Sequence, residues 1–504
     1  MKAFIERYSD KILGVISCFD RVVITGTIIE ICYADGMSGH LRGKKIRIFD
    51  YTRFAEPLRE EIRENAEKIA RDSGLEIEFI RRKNFRKEDR IEEVVARRGD
   101  HPGMVHIFSA MERCPSFSPW HDKKTGKTFL KYTEAKCLHY YFYFIVKDLG
   151  LCYMRVPTWA PFRLQFYFNG HNQLAAKMNE QGIGYTQIDN SFLGIDDFAR
   201  VQQLADKIDV KRLQKQLNQF AEKFCPVIRH FSAGYYWSLM QIEYSTDIVF
   251  KHQADLQPIY QHIVRTAIHA VKADNIAMFL GRKLNGNYQG EMGNNFHTRI
   301  QGTRIKHHMA HVSIKMYDKL GIVLRIETTV NDVSFFKHHR KVEHRDGTSE
   351  MKLAPVRKFI YSLPVMSELM SAANRRYLDF VAAIDDPSAG IKNLNEISRP
   401  VSDGTRSFRG FNLFHGDDLD LFIAIARGEF AISGCRNKNL RELLNRTGPQ
   451  ISRMLKRLKT HGLIKKIART YKYYLTTLGT KVITTAMKLR EMFIIPSLTA
   501  YLPA

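Results

Sequence analysis

Two kinds of hydrophobic period organise this chain, and the alternating kind is most regular in its second half. Between Ser238 and Phe250, Met240, Ile242, Tyr244, Ile248 and Phe250 fall on one face of a strand, with Gln241, Glu243, Ser245 and Asp247 on the other. The segment Val312 to Thr328 alternates on both sides of Gly321 and predicts a β-hairpin. With Lys319-Leu320-Gly321 as its loop, Tyr317 pairs with Val323, Lys315 with Arg325 and Ser313 with Glu327. Ile314, Met316, Leu324 and Ile326 then lie on the buried face, and Lys315, Tyr317, Arg325 and Glu327 share the opposite one.

The remaining pattern predicts an α+β multidomain chain. Strand-like runs at Val22 to Ile28, Leu75 to Ile80 and Met104 to Phe108, with helical periods at Phe54 to Ser73 and Glu88 to Arg98, indicate an N-terminal α/β domain over residues 1–165. A helical connector follows over 166–226, then an antiparallel β core over 227–345 covered by a helix at Ala254 to Val271. A helical segment and linker occupy 346–400, broken at Asp385 to Gly390, and a C-terminal module fills 401–504. No internal repeat stands out.

Charge changes the picture at the C-terminus. The formal net charge is +25, which favours phosphate-rich partners over small neutral substrates. Arg436 to Arg490 holds fifteen Lys and Arg against Glu442 alone. That segment also predicts helices at Asp417 to Glu429, Asn439 to Asn445 and Thr447 to His461, then strands at Leu463 to Ile467 and Tyr471 to Thr476. Ile451, Met454, Leu455 and Leu458 make the third helix's apolar stripe, while Gln450, Arg453, Arg457 and Lys459 point toward a groove. Lys465, Lys466, Arg469 and Lys472 suit phosphate contact from the wing. The module resembles the MarR-like winged helix-turn-helix family, which implies nucleic-acid binding. Seven scattered cysteines with no C-x-x-C pair, no signal-type leader and no long apolar run lead us to expect a cytoplasmic, nucleoid-associated protein with no membrane partner.

The hairpin supplies the chemistry. A phenol between cations and a carboxylate has what a strand-nicking site needs: Lys315 and Arg325 to stabilise a phenolate and the attacked phosphate, and Glu327 to hold a divalent metal. Glu243 and Asp247 line the polar face of the preceding strand and extend the metal-binding set. The order of Gln241-Ile242-Glu243-Tyr244, a helix, Ile314-Lys315-Met316-Tyr317-Asp318-Lys319 and Leu324-Arg325-Ile326-Glu327 resembles rolling-circle replication initiators of the filamentous-phage and plasmid types. The resemblance implies a Rep-like core in which Tyr317 attacks a DNA phosphate, with Mg²⁺ or Mn²⁺ as cofactor. The chain departs from many nicking enzymes in lacking a His-hydrophobic-His triplet, leaving His307, His308 and His311 as candidate imidazole ligands, of which His308 joins the metal set.

Three further stretches carry two readings each. Lys337 to Lys341 is a basic cluster in which Lys337, Arg340 and Lys341 suit a nucleic-acid backbone or a solvated face. The loop Gly281 to Tyr288 is basic without a P-loop order. Arg155, Trp159, Arg163, Asn169 and His171 form a polar-aromatic segment that binds a base or caps a domain boundary. The sequence therefore supports a metal-dependent tyrosine nicking and rejoining enzyme of a mobile element acting on DNA. The alternatives are a noncatalytic DNA- or RNA-binding regulator and a ribonucleoprotein component; the oligomeric state is not encoded in any of these patterns.

Overall fold

A computed structural model describes residues 1–82, 84–282, 290–299, 302–383, 395, 397–412, 415–427, 430, 434–468, 470–489 and 495. They are mixed α and β, in two compact units, Met1–Asp385 and Asp386–Ala504.

One sheet organises the first unit. Its strands are β1 (Ile12–Ile28), β2 (Ile77–Phe79), β3 (Gly103–Asp122), β4 (Lys127–Val146), β5 (Gly150–Pro157), β6 (Leu164–Asn169), β9 (Tyr235–Phe250), β10 (Met292–Arg299), β11 (Gly302–Met309), β12 (Val312–Lys319) and β13 (Val323–Val330). A separate hairpin, β7 (Tyr185–Ile188) and β8 (Ser191–Ile195), lies outside it. The order is β10-β11-β12-β13-β9-β1-β6-β5-β4-β3-β2, antiparallel except where β2 meets β3.

The boundary expected at 165 falls inside β6 of this sheet, and that expected at 226 falls inside the same compact unit. β1 from the N-terminal segment pairs with β9 along almost its whole length, so the region expected as a separate Rep-like core shares its central strand pair with the N-terminal segment. The connector contributes α5 (Gly170–Glu180), α6 (Phe198–Asp206) and α7 (Val210–Phe224), and the segment expected to stand apart after 345 contributes α10 (Leu363–Ala383) to the same unit. Asn374 of α10 donates to the carbonyls of Tyr244 and Ile326, locking that helix onto β9 and β13.

The sheet also contains a repeat that residue identities conceal. In each half a long strand leads through helices to a four-stranded meander whose last strand returns beside the first, giving β3-β4-β5-β6-β1 and β10-β11-β12-β13-β9. The two long strands, β1 and β9, pair at the centre.

The two faces are packed differently. One carries the main core, where Val22, Ile24, Phe142, Phe166, Ile242, Ile248, Ile314 and Ile326 meet α3 (Tyr51–Asp72), α7, α8 (Gln253–Ala270) and α10. On the other, Ile16 and Cys18 of β1 are covered by α5, α6 and the β7-β8 hairpin through Leu174, Phe192, Val201 and Leu204. Farther along, α4 (Lys87–Arg98) covers Phe108, Tyr141 and Tyr143. The polar side chains described next lie on this second face.

In the second unit, helices Gly416–Ile425, Asn437–Leu444 and Gly448–Thr460 are followed by strands Ile464–Lys466 and Tyr473–Leu475, paired antiparallel. Thr447 and Gln450 form a capping box at the start of the third helix, which is why that helix begins where it does. Among the described residues, no helix is long and apolar enough to cross a membrane.

Candidate nicking and metal site

Tyr317 sits opposite Arg325, Lys315 opposite Glu327 and Ser313 opposite Thr329. Each pairing is two residues from the expected register because Lys319 pairs with Val323 and the turn is made by the three residues between them. Leu320 and Gly321 adopt φ of 58° and 73° there. A shift of two preserves the faces, so the expected quartet stays together. The Tyr317 hydroxyl donates to Glu327 Oε2 at 2.8 Å, and Lys315 Nζ donates to Glu327 Oε1 at 2.6 Å. Lys315 Nζ also lies 3.6 Å from Glu243 Oε1.

The third carboxylate is Asp20, whose place in the site hydrophobic alternation does not reveal. In the β1-β9 ladder Phe19 pairs with Tyr244 and Arg21 with Glu243, leaving Asp20 as the extra residue of a β-bulge. A bulge puts two successive side chains on nearly the same side, and here it brings Asp20 beside its neighbour's partner. One oxygen each from Asp20, Glu243 and Glu327 lies within 4.8 Å of the others. A second bulge at Met240 explains another departure: Met240 is 51% exposed instead of sharing the buried face of Ile242. The signal for Asp20 was an Asp-Arg pair inside an otherwise apolar strand, but alternation alone does not say which way a bulged residue points.

Two expected ligands lie elsewhere. Asp247 is fully buried and taken up by Arg325, whose Nε and Nη2 donate to its two oxygens at 2.7 and 2.6 Å. His308 on β11 faces Ser313, which faces Thr329, which faces Glu243, so three strand spacings of about 5 Å separate it from that carboxylate. His307 points to the opposite face, hydrogen-bonded to Asn294 and Tyr377.

Arg325 is not placed to bind a phosphate. It is 0% exposed, and Nη2 also donates to the Asn190 carbonyl at the β7-β8 turn. Its role is to build the floor of the site. His171 Nδ1 approaches Asp20 Oδ1 at 3.0 Å, and Asn190 Nδ2 donates to the same oxygen at 2.6 Å. The 3.0 Å contact is an ion-pair distance without hydrogen-bond alignment. Asn169 meanwhile caps the start of α5 by accepting from the His171 and Asn172 amides, so the polar-aromatic segment both begins a helix and supports Asp20.

The electrostatics set Asp20 apart from Glu243. Burial opposes ionisation of Asp20, but His171, Arg325 and Asn190 outweigh it and hold the carboxyl well below its ordinary range. Burial and then the charge of Glu327 raise Glu243 above the usual carboxylate value. Burial works against charge on Lys315, yet Glu327 and Glu243 hold the ammonium above its ordinary value. Tyr317 is pushed well above the usual phenol range, first by burial and then by Glu327. The expectation that cations stabilise a phenolate is therefore reversed: Arg325 is committed to Asp247, Lys315 to Glu327, and the tyrosine stays neutral.

The nucleic-acid candidates divide as well. Arg453, Lys459, Lys465 and Lys466 are exposed, Gln450 is exposed within the capping box, and Lys472 is half-buried; Arg469 lies outside the described residues. Arg457 is not a groove residue. It is buried, its Nη1 and Nη2 donate to Asp418 at 2.6 and 2.9 Å, and its guanidinium lies 3.8 Å over the Phe411 ring. Lys337 to Lys341 begin β14 (Lys337–Glu343), paired with β15 (Ser349–Pro355). Alternation splits that cluster, with Lys337 and Lys341 exposed on one side and Arg340 half-buried and donating to the Pro355 carbonyl. Most of the loop Gly281 to Tyr288 lies outside the described residues.

Comparison with family models, with curated proteins and with solved structures gives no match for this chain.

Proposed function

We propose that this protein is a metal-dependent tyrosine nicking and rejoining enzyme acting on DNA, of the rolling-circle initiator type, with the winged helix as its DNA-targeting unit. The observation that carries the proposal is the Tyr317 hydroxyl hydrogen-bonded to Glu327, itself one of three clustered carboxylates. Nucleophile and proton acceptor are in contact, the geometry that hydroxyl nucleophiles need.

The donor set of Asp20, Glu243 and Glu327 offers hard oxygen ligands, which suit Mg²⁺ or Mn²⁺. A cation bound there would polarise the phosphate and offset the repulsion that raises Glu243. In the attack, the Tyr317 oxygen bonds to phosphorus as the phosphorus–O3′ bond breaks. The phenol proton passes to Glu327, and the 3′ oxygen leaves to be protonated as a hydroxyl. Lys315 lies beside Glu327 and can turn to the phosphate as negative charge develops. The 5′-phosphotyrosyl link conserves the bond energy needed for rejoining.

Nicking of supercoiled plasmid DNA in the presence of Mn²⁺ tests this reading. Wild type should nick, while Tyr317→Phe and Glu327→Gln should each fall by at least about 100-fold, within the range that proton transfer and nucleophilic catalysis contribute. Equal nicking by wild type and Tyr317→Phe overturns it.

A further inference from the structure

The repeat within the sheet gives Glu243, Glu327, Lys315 and Tyr317 each a counterpart in the other half. Glu243 on β9 faces Thr329 on β13; in the other half, Arg21 on β1 faces Asn169 on β6. Two positions along, Glu327 faces Lys315 where Tyr167 faces Tyr153. Two further, Arg325 faces Tyr317 where Gln165 faces Arg155. Glu243, Glu327, Lys315 and Tyr317 thus correspond to Arg21, Tyr167, Tyr153 and Arg155. Where the second half has Glu243 and Glu327 beside Lys315 and Tyr317, the first has two guanidiniums and two phenol rings, and adds Asp20 to the carboxylates through its bulge.

The two sets adjoin. Arg21 and Glu243 are direct partners across the central strand pair, with Nε 3.9 Å from Oε2. The Tyr153 and Tyr167 rings are stacked, with centroids 5.0 Å apart and planes 18° from parallel. The Arg21 guanidinium lies 5.7 Å from the Tyr167 ring centre, and its side chain is 47% exposed. Gln165 donates to the Tyr153 hydroxyl at 3.2 Å and fixes that ring. Both rings are half-buried, on the sheet face that carries the three carboxylates.

We propose that Arg21, Tyr167 and Tyr153 form a binding platform for single-stranded DNA, stacking one unpaired base next to the phosphate delivered to Asp20, Glu243 and Glu327. The proposal rests on the nicking reading and deepens it by naming the substrate as unpaired. An aromatic face accepts any base, but only one that has left the duplex. A guanidinium beside the rings neutralises the backbone where the carboxylates would repel it. The first half of the repeat, which also supplies Asp20, therefore holds the strand that Tyr317 of the second half cuts.

The test uses the full-length protein in EDTA, with a 12-nucleotide single-stranded DNA carrying one 2-aminopurine as probe, and a duplex of the same sequence as control. Wild type should bind the single strand and quench the 2-aminopurine. Tyr167→Leu and Tyr153→Leu should lose roughly tenfold or more in single-strand affinity, together with the quenching, at unchanged duplex affinity and melting temperature. Tyr167→Phe, which keeps the ring, should retain both. Arg21→Gln should lower the salt dependence by about one counterion. Unchanged single-strand binding by both leucine variants overturns the platform, as does an equal loss of duplex binding. Tighter binding of RNA of the same sequence overturns the choice of DNA. Because binding is read without metal, loss in the leucine variants supports the platform even if Tyr317→Phe nicks normally, in which case the nicking assignment alone fails.

Discussion

Glu243 is the residue whose chemistry depends most on what binds beside it. Burial and the neighbouring Glu327 raise its pKa, so it takes up a proton at a higher pH than an ordinary glutamate. A protonated carboxyl is a poor metal ligand, and Mn²⁺ affinity should accordingly fall as pH drops, beginning above the usual glutamate value. Isothermal titration between pH 7.5 and 5 measures this. Glu243→Gln should bind Mn²⁺ more weakly and with less pH dependence; an unchanged affinity would remove Glu243 from the ligand set. His307 gives the opposite case of a base kept neutral. Burial lowers its pKa to about 4, while the unfolded chain takes up the proton near 6.5. The unfolded state then binds more protons in this window, so this residue should cost up to about 3 kcal/mol of stability as pH falls from 6.5 to 4. Urea unfolding across that range, with the histidine ring titrated by NMR, checks both the slope and its owner. At this scale Tyr317, Lys315, Glu327 and Glu243 were legible from period-two alternation, which survives a register shift of two. Asp20 was not, because its position depends on a bulge that no periodicity marks.

The helix Gly448–Thr460 shows how far a pattern of charge can be read as a binding face. Arg453, Arg457 and Lys459 look alike in sequence, yet Arg457 is spent on Asp418, Phe411 and the Arg409 and Gly410 carbonyls. Its partner lies 39 residues away, and such distant pairing is invisible in a helical wheel. Arg457→Ala strands a buried carboxylate and should destabilise the second unit by about 3–5 kcal/mol. Arg453→Ala and Lys459→Ala should leave the melting temperature unchanged, weaken duplex binding and lower the salt dependence by about one counterion each. Calorimetry and binding measured across salt concentrations separate these outcomes. A stable Arg457→Ala that only loses DNA affinity would contradict the clamp.

At the scale of the whole molecule, the central strand pair explains why element types were legible and domain boundaries were not. β1 and β9 are more than 200 residues apart in sequence, and each carries ordinary strand periodicity that names no partner. A fragment of residues 227–345 leaves β9 with a long unpaired edge where β1 would lie and removes Asp20 itself, together with His171 and Asn190 that hold it. Such a fragment should aggregate or remain unfolded, whereas residues 1–385 should give a cooperative thermal transition; folding of the shorter piece would show that the halves are independent. The same continuity places the three carboxylates and Tyr317 on strands from both halves of the sheet. The most direct test of the nicking claim is to trap its intermediate. Wild-type protein, incubated with Mn²⁺ and a pool of random-sequence single-stranded DNA, then denatured and digested, should yield a peptide bearing a 5′-linked nucleotide on Tyr317. Glu327→Gln should yield little of it, and Tyr317→Phe none. An adduct on another residue, or DNA cleavage with no adduct, would contradict the account.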